Sequence, residues 1–399
     1  MDSAARYDRQ HINDDAESMV SSTPTLIQPP PEEHRRFLRH NGNDGLHNFT
    51  DLHDVEEQHE HEMQAPSETS VQRRDGFMRL ESNGNLRDIS NNGGSKWATL
   101  RSIMMGPTSR PWFTWLSATA MIVTMVFALA KHHDISGSML ETQPFNPMIG
   151  PSFTILINTG ARYTPCMRPL PDYQASTVID SCLSKNATCT LEQLCGGSGS
   201  SNQGYRLLSP IFIHAGLLHI VVCLLAHFQV GATLERDMGF LSFGFLYLVC
   251  GIWGFAFSSL MSSAQTASMG CSGALMGLVG FMMVETVKNW KTIRRRTRRL
   301  ASLSLSIILA FVFGIFPGID NFAHVGGLAT GIIMGFLLMS PAASTSRWIT
   351  WGIRAAALTV LVVVFVIMLY MFYSAYDPTK ICPNCRYFSC IPVSNWCDI

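Results

Sequence analysis

Gly270-Cys271-Ser272-Gly273-Ala274 and Asn321-Phe322-Ala323-His324-Val325-Gly326-Gly327 each open an apolar stretch in the second half of the chain. The first puts a serine at the mouth of its stretch, and the second puts a histidine just inside. A polar side chain in hydrocarbon costs free energy, so a hydroxyl and an imidazole held there point to function. A nucleophile and a general base at matching depth suggest hydrolysis inside a bilayer.

Outward from these stretches the chain splits by composition. From Pro111 onward apolar runs dominate, whereas 1–110 is polar and rich in His, Asn, Asp, Glu, Ser and Arg. Such a segment buries too little apolar surface to offset chain entropy, so a disordered cytosolic tail is expected. Its stretch from His53 to His61 reads as solvated polar chain rather than a metal site. The formal net charge of zero averages two unlike halves and says little about partners. The start, MDSAARYDRQ, lacks the apolar core of a cleavable signal and carries acidic residues early. The first span is therefore expected to act as an uncleaved signal anchor.

Windows of about 17–25 apolar residues mark membrane helices. Seven are expected, starting near Trp112, Pro210, Phe240, Ser272, Leu303, Phe322 and Trp348. The fold class is an all-α membrane protein. Its expected parts are a six-helix core over 111–345 with a Cys-containing loop at 131–209, a seventh helix over 346–374 and a Cys-rich tail over 375–399. The basic run from Lys288 to Arg299 between spans four and five reads as a cytosolic topology anchor rather than a nucleic-acid patch. That places the N-terminus in the cytosol and the C-terminus on the lumenal or extracellular side.

Cysteine placement tests this independently. Cys166, Cys182, Cys189 and Cys195 fall in the loop after span one, and Cys382, Cys385, Cys390 and Cys397 in the tail after span seven. Both groups are on the outer side, where disulfides persist. Four cysteines allow three pairings in each group. Cys382-x-x-Cys385 has no nearby histidine to complete a zinc site. Cys223, Cys250 and Cys271 lie in or at spans. Asn186-Ala187-Thr188 is an outer sequon and open to glycosylation, while Asn48-Phe49-Thr50 is cytosolic and silent.

Span four is short, which sinks Ser272 below the outer surface beside a water-filled cavity. The free N–H groups and positive dipole end of its first turn favour developing oxyanion charge. Span six starts on the same side, so His324 shares that depth. Gly273 and Gly277 on span four, and Gly327, Gly331 and Gly335 on span six, form stripes that let backbones pack closely in lipid. The bland alternative is a serine bonded to its own helix and a capped loop histidine. The Gly-x-Ser-x-Gly elbow is absent, because Ala274 holds the second glycine's place. On span two, His214 and His219 are about 140° apart around a helix and make poor joint ligands. His219 and Cys223 share a face but lack a third ligand, so a packed polar pair is the plainer reading. Glu285 reads as an interfacial charge.

Together these residues resemble the rhomboid family of intramembrane serine proteases. The likeness runs from Phe145 to Gly335 through Asn146-Pro147-Met148-Ile149-Gly150-Pro151, Tyr205-Arg206, His214-Ala215-Gly216-Leu217-Leu218-His219, Glu235-Arg236-Asp237-Met238-Gly239, Gly270-Cys271-Ser272-Gly273 and Ala323-His324-Val325-Gly326-Gly327. The seventh span and Cys-rich tail look like eukaryotic secretory-pathway rhomboids, fungal ones in particular. The resemblance implies a six-helix rhomboid core and a Ser272–His324 dyad without an orienting carboxylate. It makes His219 and the Ser272 N–H the oxyanion donors, and Tyr205-Arg206 a motif that shapes the outer loop. It implies single-span transmembrane substrates cut near the outer face of the bilayer, in the Golgi or plasma membrane, with no cofactor, no metal and no nucleic-acid partner. Oligomeric state is not encoded legibly. Two positions depart from the family. Cys223 stands where an oxyanion-hole asparagine is usual, and a thiol is the weaker donor. Met276 stands where an aromatic often packs on the catalytic histidine. Two other classes compete: a silent member that binds transmembrane clients and controls their traffic, and a seven-helix receptor or transporter. Against the last stand the cytosolic N-terminus and the lack of the intramembrane acidic residues expected of many ion-coupled transporters.

Overall fold

The computed structural model describes residues 109–143, 145–171, 173–180, 182, 187–197, 202–338, 345–374 and 386–389, with the backbone of Arg73–Arg74 and Phe77–Met78. The chain divides into two compact units, Met1–Ser67 and Glu68–Ile399, and the described residues belong to the second. The expected disordered tail, apart from 109–110 and the two strands, lies outside the described residues. So do Asn48, Asn186, Cys382, Cys385, Cys390 and Cys397.

Seven long helices are present among the described residues: α1 Trp112–Ser136, α2 Leu217–Met238, α3 Phe240–Met261, α4 Ser272–Lys288, α5 Arg296–Phe313, α6 Asn321–Leu338 and α7 Arg347–Ser374. All but α4 and α5 are long and apolar enough to cross a membrane. α4 is short, as expected from its composition, and α5 opens on basic residues. Two expected starts need correction. Span two begins at Leu217, not near Pro210, because Pro210 sits in a 3-10 turn, Ser209–Phe212, followed by extended chain at Ile213. Span five begins at Arg296, not Leu303, because Arg and Leu are good helix formers and extend the helix into its basic loop. Buried Glu285 rewards that extension by accepting from Arg299 Nη2 at 2.6 Å. Glu285 is only 1% exposed, so it is no interfacial charge.

Helices α3, α4 and α6 pack as the centre of the bundle. Close approach explains their glycines. A Cβ on Gly327 would lie 1.9 Å from the Gly273 carbonyl oxygen, and one on Gly331 would lie 1.8 Å from that of Gly277. The two stripes read from the sequence therefore face each other, backbone to backbone. Helix α7 lies outside this centre, with Phe365 stacked on Trp253 at 5.1 Å and most of its surface exposed.

Helix α1 is anchored from α2. Pro111 offers no side-chain cap, and Glu235 supplies one from across the bundle. Its carboxylate accepts from Phe113 N, Thr114 N and Thr114 Oγ1, each at 2.8 Å. An acid at a helix N-terminus meets both the unpaired N–H groups and the dipole.

Over one end of the bundle lies the cysteine loop. It is closed by Cys166–Cys195 and Cys182–Cys189, which selects one of the three pairings. Arg206 is fully buried and donates to the carbonyls of Ile157, Ala161 and Cys195 and to Gln203 Oε1. Burial lowers the pKa of its guanidinium. Asn146 donates to the carbonyls of Pro151 and Ala215 and accepts from Met148 N.

Candidate active site

The chain entering α4 is stretched between two loops. Arg162 and Ser268 exchange backbone bonds at 3.0 Å, Met269 N donates to the Gly318 carbonyl at 3.1 Å, and Gly270 N to that of Pro210 at 2.9 Å. Gly270 has φ +119°, and a Cβ there would strike the His219 ring at 2.6 Å. Only glycine satisfies both conditions. The next turn begins α4 with no side-chain cap. Its first backbone bond runs from Leu275 N to the Cys271 carbonyl, so the N–H groups of Ser272, Gly273 and Ala274 precede the intrahelical ladder.

Helix α6 is capped by Asp320. Its Oδ1 accepts from Phe322 N at 2.8 Å, and its carboxylate also takes the hydroxyls of Ser258, Ser262 and Ser389. Arg162 Nη2 lies 3.7 Å away, and the same guanidinium donates to Ser268 Oγ and the Thr266 carbonyl. Arg162 thus joins the strand before Ser272 to the cap before His324. Burial alone would raise the Asp320 pKa. The Arg162 charge and the hydroxyl and N–H donors outweigh it and hold the group below its ordinary value.

With both helix starts fixed, Ser272 Oγ lies 2.8 Å from His324 Nε2. Behind the ring, His324 Nδ1 lies 3.2 Å from Asn321 Oδ1. The Asn321 amide has no freedom to flip, because its Nδ2 donates to the carbonyls of Phe311 at 3.1 Å and Phe388 at 2.8 Å. Gly314 makes room for it, since a Cβ there would fall 1.8 Å from Asn321 Oδ1. The network assigns the tautomer: Nδ1–H donates to Asn321, and the Nε2 lone pair accepts from the Ser272 hydroxyl. Ser272 is half-buried and His324 buried. The ring packed against His324 is Phe311, at 6.2 Å between centroids, so an aromatic comes from α5 rather than from position 276.

The His219 ring packs against Gly270, two residues before Ser272. Its Nδ1 accepts from Ala215 N at 3.3 Å, which leaves the proton on Nε2, and Nε2 has no hydrogen-bond partner among the described residues. His214, Cys223 and Cys271 gather their donor atoms within 4.8 Å of one another, all buried. The helical-wheel separation of His214 from His219 does not apply, because His214 lies in the extended segment before α2.

The sequence reading grouped Ser272, His324 and His219; the structure puts Ser272 and His324 in contact and the His219 ring against Gly270, two residues before Ser272. The sequence reading passed over Asn321, Asp320 and Arg162. Asp320 directly precedes the apolar run that holds His324, and an Asp in that place is a cap signal. Arg162 carried no local signal.

The rhomboid domain matches residues 201–341. Across 358 aligned residues the chain is 31% identical to Rhomboid-type serine protease 2 of Emericella nidulans, covering 71% of each chain. The chain belongs to the rhomboid family. It is 34% identical to RHOMBOID-like protein 4 of Arabidopsis thaliana, over 49% of this chain and 53% of that one. It is also 30% identical to Inactive rhomboid protein 1 of Danio rerio, over 49% of this chain and 22% of that one. This rhomboid is thus an integral membrane protein from a family of serine proteases that includes inactive members.

Proposed function

We propose that this rhomboid is an intramembrane serine endopeptidase working through a Ser272–His324 dyad. The observation that carries the reading is the 2.8 Å contact between Ser272 Oγ and His324 Nε2, with the opposite nitrogen held by Asn321. Ser272 Oγ attacks the scissile carbonyl carbon while its proton passes to Nε2. Charge on the carbonyl oxygen is met by the Ser272 N–H and by His219 Nε2–H, with Cys223 at most a weak contributor. The tetrahedral adduct expels the amine, which takes the proton from His324. Water, deprotonated by the same nitrogen, then releases the acyl fragment.

Substrates are single-span proteins cut near the outer membrane face, since Ser272 opens α4 at the end of the bundle covered by the disulfide loop. Formed disulfides support a lumenal or extracellular loop, with the N-terminus cytosolic, and so a multi-pass protein of the Golgi or plasma membrane. In that orientation Asn186 is available for glycosylation. The test is cleavage of a helix-breaking transmembrane substrate in proteoliposomes. Wild type is expected to cleave and Ser272→Ala to lose the product; equal product from both would contradict the proposal.

A second reading is a silent rhomboid that binds transmembrane clients and controls their traffic. Cys223 in place of an amide favours it, as does similarity to an inactive relative. Client capture by wild type and Ser272→Ala alike, without cleavage by either, would select it.

A further inference from the structure

We propose that His214, Cys223 and Cys271 form a site for a thiolate-preferring divalent cation, Zn2+, in the core behind the dyad. Four observations converge on it. The two sulfurs and an imidazole nitrogen lie within 4.8 Å of one another. All three residues are at least nine-tenths buried. Neither ring nitrogen of His214 has a conventional hydrogen-bond partner among the described residues, and the ring interacts instead with the Cys271 thiol. The Tyr247 hydroxyl, in the same packed core as both thiols, also lacks a conventional partner among the described residues and interacts with Cys271. A buried imidazole with no conventional hydrogen bond is uncommon, because buried polar groups are normally bonded. Water bridging these groups would relieve the deficit, but two thiols are poor partners for water and good ones for a soft metal.

The chemistry balances. Zn–S and Zn–N bonds of about 2.3 and about 2.0 Å set donor atoms about 3.5–3.8 Å apart in a tetrahedron, so the three atoms need only a small contraction. On binding, two S–H bonds break heterolytically and their protons leave to solvent. Two Zn–S bonds and one Zn–N bond form, and no electron is transferred. Two thiolates, one neutral imidazole and a dication sum to zero charge, the state an apolar core tolerates. The fourth position is left to an oxygen ligand, water or the Tyr247 hydroxyl. Cys223, the departure from the family's asparagine, and Cys271, next to Ser272, are both ligands here, so the departure supplies one of the two thiolates.

The expected consequence reaches the dyad by two routes. Cys271 precedes Ser272 at the start of α4, and the His214 ring packs edge-on against His219 at 5.1 Å between centroids. Drawing the sulfurs together shifts both, so the loaded protein is expected to turn over more slowly than the chelated one.

The binding test does not depend on turnover. The full chain is produced in cells supplied with Co2+ in place of Zn2+ and purified in detergent micelles. One cobalt per chain is expected, with thiolate-to-cobalt charge-transfer absorption in the near ultraviolet and the visible bands of tetrahedral cobalt. Cys223→Ser, Cys271→Ser and His214→Ala should each lose these bands, while Cys250→Ser, a buried thiol outside the trio, keeps them. Thermal unfolding checks that each variant is folded. Cobalt in wild type no higher than in folded Cys223→Ser would overturn the proposal. So would a Cys223–Cys271 disulfide-linked peptide in a non-reducing digest of metal-free wild type, since that bond would account for the close sulfurs.

Discussion

At the scale of residues, the proposed chemistry depends on which nitrogen of His324 is free. Asn321 decides it by accepting from Nδ1, and two backbone carbonyls decide the orientation of Asn321. Asn321→Ala leaves both Ser272 and His324 in place but releases the ring. Turnover is expected to fall by on the order of 10-fold, short of the ~10²–10⁴-fold that general acid–base catalysis supplies. Steady-state cleavage should show the loss in kcat with KM little changed. The fate of Cys223 is a second residue-scale question. In chelated enzyme, Cys223→Asn restores an amide donor and is expected to raise kcat; a fall would show that the thiol is fitted to its neighbours. The Asp320 carboxylate allows a prediction in pH. Its folded pKa lies below the ordinary value, so the stabilisation it gives is complete at neutral pH, above the unfolded value near ~4. That stabilisation is lost as pH falls through the folded value. The thermal midpoint of wild type should drop on acidification from about pH 5 to about pH 3, and Asp320→Asn should flatten that limb while lowering the midpoint at neutral pH.

At the scale of elements, the site is made by two helix starts meeting at one end of a glycine seam. Replacing Gly331 with alanine puts a methyl carbon where 1.8 Å separates it from the Gly277 oxygen, so α4 and α6 must part. Overpacking of this kind costs about 1–3 kcal/mol. Gly352 on α7 has nothing within 4 Å of its hypothetical Cβ, and alanine there should stay within about 0.5 kcal/mol of wild type. Thermal unfolding of the pair in one detergent measures the contrast. These helices were legible in the sequence because apolar length and small-residue spacing are local signals. Their ends were less so. Pro210 looked like the start of a span because the residues after it are apolar, yet Gly216 and the 3-10 turn delay the helix to Leu217. Arg296 looked like loop because charge was read as a boundary, although arginine extends a helix readily.

At the scale of the whole molecule, the short segment Arg386–Ser389 packs against the site. Phe388 lies 5.8 Å from Phe311 and 5.3 Å from Phe322 between ring centroids. Its carbonyl holds Asn321, and Ser389 Oγ donates to Asp320 at 3.1 Å. A chain ending after Ser374 is therefore expected to assemble the bundle but lose several-fold in kcat, and Phe388→Ala with Ser389→Ala should reproduce part of the loss. Equal turnover with and without the tail would show these contacts to be idle. No reading of the sequence could have found them, because partners 67 and 69 residues apart share no pattern. Arg162 was hidden for the same reason, bonding to residues more than a hundred positions away. By contrast Ser272, His324 and His219 announced themselves, since polar groups among apolar neighbours stand out wherever they fall. The most direct measurement is labelling by a fluorophosphonate probe, which reacts only with an activated serine. Wild type should take the label at Ser272, with none on Ser272→Ala and little on His324→Ala. Wild-type protein that is folded yet unlabelled, or label undiminished in His324→Ala, would contradict the account.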